Sequence, residues 1–474
     1  MSDSKLFFSL PSLRGGGQGW GERAYGRPSP HPTGYPLGGL PRSQGEGARI
    51  GVTVLAAGCT SLRAAGHRWI QKAATAADAA RSLTAKVEET LLIDPRPSTD
   101  RPIRLGIIGT GLAVKKLHWP ALVRMADRFV VVAFANRSRA GAEQFASLAN
   151  LSMDGYTSDY HDLLRRDDVQ AVVVSVPIPQ LLPITRDCLT AGKHVMCEKP
   201  PGVDLAEARQ FIALPDQYPR QRIMMTENFF YRDDLRLARS LVEGGAIGRP
   251  QLLLEKWVQQ LVPTPGEYSS TPWRYKPEYR GGPLLDGGVH SIATIRLLGG
   301  DITSLCARTE WINLTMDAPS AMVMTFRFAS GASGNCIWGF LGNPVLDEVR
   351  DTRVYGSEGT LISSRGQARV VQADGSIQEY RIEPIDTGHY NMFLNFYDGL
   401  VHGEPMVATI PQSFENMLVV LQALESAELG RQTEVVAAGV PHGTGGVPLW
   451  RPRGASGLFE GLPCEVKQIP ASRR

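Results

Sequence analysis

Two short patterns in this 474-residue chain carry residue types at spacings that chemistry could use. The first is Gly109-Thr110-Gly111-Leu112-Ala113-Val114. A first glycine permits a tight turn. A second, lacking Cβ, lets backbone approach a pyrophosphate that a following helix N-terminus stabilises. The third position of the usual G-x-G-x-x-G spacing is Val114 rather than Gly or Ala. The second pattern is Asp286 and His290, four residues apart. On a helix both side chains point to one face. His290 suits a general acid or base because an imidazole titrates near neutrality. Asp286 would bind substrate or bias the ring. Gly287 and Gly288 would leave room beside them.

The glycine pattern needs a strand before it and a helix after it. Residues 103–108 form a short apolar run that ends in the glycines. Leu117, Ala121, Leu122 and Met125 then follow at helical spacing. Further strands are predicted over 130–135, 171–176, 194–197 and 222–226, with helices over 139–149, 180–191 and 204–214. Near-continuous apolar strands with helices between them imply a parallel sheet covered on both faces. Ligands of such sheets bind at the carboxyl ends of the strands. The second strand ends in Ala135-Asn136-Arg137-Ser138-Arg139. A site for NAD usually carries an acidic residue here. Neutral Asn136 with Arg137 beside it favours NADP, with NAD as the alternative.

Later residues read differently. Strand-like runs over 323–328, 334–340, 353–355 and 369–372 are separated by turns, including Ser330-Gly331 and Asp374-Gly375. A helix from Asp286 to Leu298, and others over 389–402 and 411–430, complete the pattern. The expected organisation is a disordered or weakly helical leader (1–101), an α/β Rossmann domain (102–227), an α+β domain (228–436) and a disordered tail (437–474). Residues 1–50 are rich in Gly and Pro and lack apolar periodicity, 51–93 are richer in Ala and could form helix, and 437–474 return to Gly and Pro.

The formal net charge of +3 offers no electrostatic case for nucleic acid or an anionic membrane. Six scattered cysteines fit a reducing compartment, so a cytoplasmic protein is expected. The basic, Ala-rich stretch 51–93 leaves organelle targeting as an alternative. The histidines show no metal-ligand spacing, and no metal is expected.

The string AGKHVMCEKP at 191–200 is followed by ENFFYR at 227–232, GAIGRP at 245–250, TPWR at 271–274, GGPLLDGGVH at 281–290 and VYGSEGTL at 354–361. This ordered set resembles the Gfo/Idh/MocA family, the glucose–fructose oxidoreductase and inositol dehydrogenase group, over about 102–436. The resemblance implies a Rossmann domain followed by a domain built on a large, open, mostly antiparallel sheet. Such a sheet often supports a homodimer or homotetramer. It also implies hydride transfer between a nicotinamide and a sugar, cyclic polyol or related carbinol or carbonyl.

The resemblance makes Lys199 the active-site lysine, bonded to the reacting oxygen and close to the cofactor. Glu198 would set cofactor or lysine geometry, and Pro177 would line the nicotinamide pocket. Asn228, Tyr231, Trp273 and Arg274 would lie near the substrate. His118 is expected to pack. Gln180 or Leu181 stands where relatives often carry Asn or His. An arginine that many relatives place near Phe230 is absent, which weighs against sugar-phosphate or acidic substrates. Two other readings stand beside a dehydrogenase: a catalytically silent dinucleotide sensor, and an NAD-assisted enzyme without net redox turnover. The presence of both Lys199 and His290 favours the dehydrogenase.

Overall fold

The computed structural model describes residues 102–471, apart from 344–347, 384–386, 438–442, 458, 461 and 463. The leader expected over 1–101 lies outside the described residues.

Six strands form the first sheet: β1 (Ile103–Ile108), β2 (Phe129–Ala135), β3 (Tyr156–Thr157), β4 (Ala171–Val174), β5 (His194–Cys197) and β6 (Ile223–Met225). Their order is β3-β2-β1-β4-β5-β6, and every neighbouring pair is parallel. All four residues of β4 are fully buried, which explains its unbroken apolar run. The winding reverses between β1 and β4, so the carboxyl ends of these two strands border a crevice. Ser138 caps the helix Arg139–Ala149 by accepting from Gly141 N, and Asp204 caps Leu205–Ile212 through Ala206 and Glu207. The short β3 and the helix Tyr160–Leu164 carry too little periodicity to be read from sequence.

The first helix differs from an ordinary amphipathic helix. Val114–His118 makes a π-helical turn before the α-helix Trp119–Val123. Pro120 has no N–H to donate to the preceding turn, which suits a slipped hydrogen-bond register there.

Ten strands form the second sheet: β7 (Pro250–Gln260), β8 (Ile302–Glu310), β9 (Ala321–Phe328), β10 (Ser333–Leu341), β11 (Val349–Gly356), β12 (Gly359–Ser364), β13 (Gln367–Gln372), β14 (Ile377–Ile382), β15 (Thr433–Glu434) and β16 (Cys464–Ile469). The order is β15-β8-β9-β10-β7-β11-β12-β13-β14-β16. All neighbours are antiparallel except β10 and β7. The inner face packs Met324, Trp338, Val354 and Val370 into one core with the helices Pro283–Gly299 and Ile410–Leu429. The long helix therefore begins at Pro283, ahead of Asp286, and carries both Asp286 and His290. Residues on the other face of the sheet, Leu252, Val323 and Ile337, are exposed. No described helix is long and apolar enough to cross a membrane.

The chain beyond 436 departs from the loose tail expected of it. β16 extends the sheet by pairing with β14. Trp450 is only 3% exposed. Arg236 lies over its indole at 4.7 Å and donates to its carbonyl at 3.1 Å. Asp301, paired with Arg296, accepts from Gly445 N and Gly446 N at 2.7 and 3.0 Å. The glycines here make turns that seat one aromatic ring, with Gly446 at φ +91°. Trp450→Ala is expected to cost about 3–5 kcal/mol of stability in guanidinium unfolding.

Candidate active site

The glycine turn sits at the carboxyl end of β1. Gly109 has φ +90°, and a Cβ there would lie 2.1 Å from Ser175 O, so only glycine fits. Gly111 is the opposite case: a Cβ there meets nothing within 4 Å. Its backbone forms an open ledge that a pyrophosphate could approach, and the site fits a dinucleotide. Thr110 is buried and braces the turn, its N–H donating to Asn136 Oδ1 at 3.4 Å and its hydroxyl to Gly141 O at 3.4 Å. Asn136 also donates to Ser138 O at 2.8 Å. It is therefore held by protein on both ends of its amide. Arg137 is exposed and has no ion pair among the described residues, whereas Arg139 bonds Glu143 at 2.9 Å. Pro177 is exposed beyond the end of β4. Leu112 directs its carbonyl to the Tyr268 hydroxyl at 3.3 Å.

Lys199 follows β5, and its bond to Pro200 is cis. Its ammonium donates to Asp286 O at 2.6 Å and to Asp286 Oδ1 at 3.0 Å. An ammonium has three donors, so one remains for a ligand oxygen. The other carboxylate oxygen of Asp286 accepts from Arg274 Nε at 3.1 Å. Burial opposes ionisation of Asp286. The charges of Lys199 and Arg274 overcome it and hold the carboxyl well below the ordinary carboxylate range. Asp286 thus binds the lysine across the two halves of the molecule, and its charge also raises the His290 pKa, in keeping with the expected bias on the imidazole. Arg274 also donates to Thr271 Oγ1 at 2.6 Å and lies over the Trp273 ring at 4.1 Å.

His290 is oriented by a residue the sequence reading missed. Its Nδ1 lies 2.7 Å from Glu227 Oε1, and the Glu227 side chain is 1% exposed. The imidazole stacks on Phe229 at 4.4 Å with planes 13° apart. These contacts leave Nε2 for a substrate. Burial lowers the imidazole pKa, Glu227 raises it and the Lys199 charge lowers it again. The net direction is below the ordinary histidine value. Lys199 and His290 thus sit close enough to feel each other's charge. Glu227 stands just beyond the carboxyl end of β6, the position that parallel-sheet logic marks for ligands.

Glu198 bonds a different partner. Its Oε1 lies 2.8 Å from Nε2 of the fully buried His118. Burial pushes the Glu198 carboxyl up, but the His118 bond and the charges of His118 and Lys199 hold it at about 2. His118 packs edge-on against His389 at 5.3 Å. Burial and the charge of His118 bring His389 down to about 3.

Comparison with known proteins identifies the family. Residues 103–226 match the model of the oxidoreductase family with an NAD-binding Rossmann fold, and residues 235–362 match the GFO/IDH/MocA C-terminal domain. The chain belongs to the Gfo/Idh/MocA oxidoreductase family. An uncharacterised protein of Saccharomyces cerevisiae is 26% identical over 63% of this chain and 88% of its own. A dTDP-3,4-didehydro-2,6-dideoxy-alpha-D-glucose 3-reductase of Saccharopolyspora spinosa is 31% identical over 44% of this chain and 60% of its own. The crystal structure of an oxidoreductase from Thermotoga maritima superposes with a TM-score of 0.65 at 28% identity, covering 71% of this chain and 99% of that one.

Two residues that the family resemblance placed near the substrate have other duties. Tyr231 is fully buried; its hydroxyl donates to Asn395 Oδ1 at 2.8 Å and accepts from Ala408 N at 2.9 Å. Asn228 is 9% exposed and donates to Thr387 O at 2.6 Å. In this oxidoreductase both tie the segment after β6 to the late helices. Trp273 and Arg274 do lie on the segment that reaches Asp286.

Replacing Glu227 by Gln removes the carboxylate that raises the His290 pKa. In NMR titrations, the His290 resonance of Glu227→Gln is expected to titrate at lower pH than in the wild type.

Proposed function

We propose that this family member transfers hydride between NADP and the CH–OH carbon of a sugar, cyclic polyol or related carbinol. The observation that carries this reading is that Lys199, at the carboxyl end of a strand of the parallel sheet, bonds Asp286, one helical turn from His290 on the same helix. In the oxidative direction His290 Nε2 takes the hydroxyl proton. The remaining N–H of Lys199 bonds the same oxygen as negative charge develops on it. A bound nicotinamide supplies the hydride acceptor. The carbinol then leaves as a carbonyl, having lost one proton and one hydride. In reduction the imidazolium returns the proton.

Several features support the finer points. Asn136 spends its amide on Thr110 and Ser138, and uncommitted Arg137 stands beside it, which supports a 2′-phosphate and hence NADP over NAD. The sugar reductases among the relatives support a sugar-like substrate. The described cysteines are all free thiols, in keeping with a cytoplasmic setting. The exposed apolar residues Leu252, Val323 and Ile337 on the open sheet support association with a second copy.

His290→Ala and Lys199→Ala should each lower kcat/KM by roughly 10²–10⁴ in a reduced-nicotinamide absorbance assay. Unchanged turnover in either variant would remove the mechanism. A sensor would bind dinucleotide and turn over nothing across a broad sugar and polyol panel. Oxidation needs His290 neutral, so its rate should rise with pH through a limb below about 6.5. Arg137→Ala should weaken NADP and leave NAD affinity nearly unchanged. An equal effect on both would show that Arg137 does not read the 2′-phosphate.

A further inference from the structure

The segment joining β7 to the helix Pro283–Gly299 crosses from the second sheet to the glycine turn. Glu267 Oε1 lies 2.6 Å from Lys116 Nζ, on the first helix of the Rossmann domain. Tyr268 donates its hydroxyl to Leu112 O at 3.3 Å, one residue past the open ledge at Gly111. Lys116 also sits 5.9 Å from the Tyr268 ring. Burial and the negative charge of Glu198 push the Tyr268 phenol upward. Tyr268 is thus held by its hydroxyl next to the glycine turn and by its carbonyl, which accepts from Arg274, on the segment that reaches Asp286.

The two ends of this segment are fastened very differently. Toward its carboxyl end, Arg274 is bound to Asp286, Thr271 and the carbonyl of Tyr268, and Asp317 N donates to Tyr275 O at 2.7 Å. Those side chains are mostly buried, with Arg274 and Asp286 17% and 13% exposed. At the tip, the Lys116–Glu267 pair is 36% and 53% exposed, and an ion pair so open to water is weak. The tip closes on itself through Glu267 N to Thr264 O and Thr264 N to Ser269 Oγ. Within it, Gly266 has φ +79° and open space where a Cβ would stand. The tip is self-bonded on a firm base, and two ties join it to the Rossmann domain: the exposed Lys116–Glu267 pair and the long Tyr268–Leu112 hydrogen bond.

We propose that residues 262–270 are a clasp on the bound dinucleotide, with Tyr268 as a cofactor-contacting residue and Lys116–Glu267 as its latch. The same segment carries Arg274, so closure over the cofactor and the placement of Asp286 against Lys199 share one piece of chain. This inference rests on the dinucleotide-binding reading above.

The test is the dissociation rate of NADPH from the full chain, followed by the change in its fluorescence on displacement. Glu267→Lys should speed release by about two- to fivefold, the range that loss of one exposed ion pair supports. Adding Lys116→Glu to that variant should restore the wild-type rate. Tyr268→Ala should speed release further than Glu267→Lys. Amide exchange over 262–270 should slow when NADPH is bound. Unchanged release in both Glu267→Lys and Tyr268→Ala, or no rescue by the charge swap, would overturn the clasp and leave dinucleotide binding intact. Failure of the wild type to bind either dinucleotide would overturn both.

Discussion

The ion pair between Lys199 and Asp286 is the contact on which this molecule's chemistry depends. One partner follows a strand of the parallel sheet; the other lies on the long helix under the antiparallel sheet. Both side chains are nearly buried, at 12% and 13% exposure. A pair of this kind contributes little net stability, because desolvation offsets most of the attraction. Its value lies in geometry. Breaking it strands a charge in a poorly solvated place, so alternative arrangements of the two halves are penalised. The lysine is thereby held with its direction set and one N–H unspent.

The acid/base group is built on a separate principle. His290 reaches its partner Glu227 from the same helix that carries Asp286, yet Glu227 belongs to the segment just past β6. One helix thus presents two side chains to two different strand ends of the first sheet. The lysine pair is cation to anion. The histidine pair is imidazole to anion, with an aromatic ring below it. Glu227 fixes the orientation of the imidazole and raises its pKa, while burial and the Lys199 charge bring the net value below the ordinary one.

Around this centre the structure uses buried polar bonds as fasteners. His118 holds Glu198 from the first helix, and Tyr231 joins the loop after β6 to Asn395 and Ala408. Arg296 and Asp301 clamp the chain past 443, and Arg236 covers Trp450. They fix the segments they join, because an unsatisfied polar group in these positions would be costly.

Local pattern was enough to reveal the alternation of strands and helices, the glycine turn, the hairpins at Gly331 and Gly375, and the helix that carries Asp286 and His290. Each of these rests on periodicity or on backbone freedom, properties that neighbouring residues share. Which carboxylate serves which base was beyond that reach. Asp286 lies four residues from His290 yet spends its charge on Lys199, 87 residues away, while Glu227 takes the histidine from 63 residues upstream. The same holds for Tyr231, whose amphipathic side chain suits a pocket or a core equally, and for Trp450, whose glycine-rich surroundings look unstructured until Arg236 covers the ring. Electrostatic partners are chosen by proximity in space, and only the packing of the two sheets brings those groups within bonding distance.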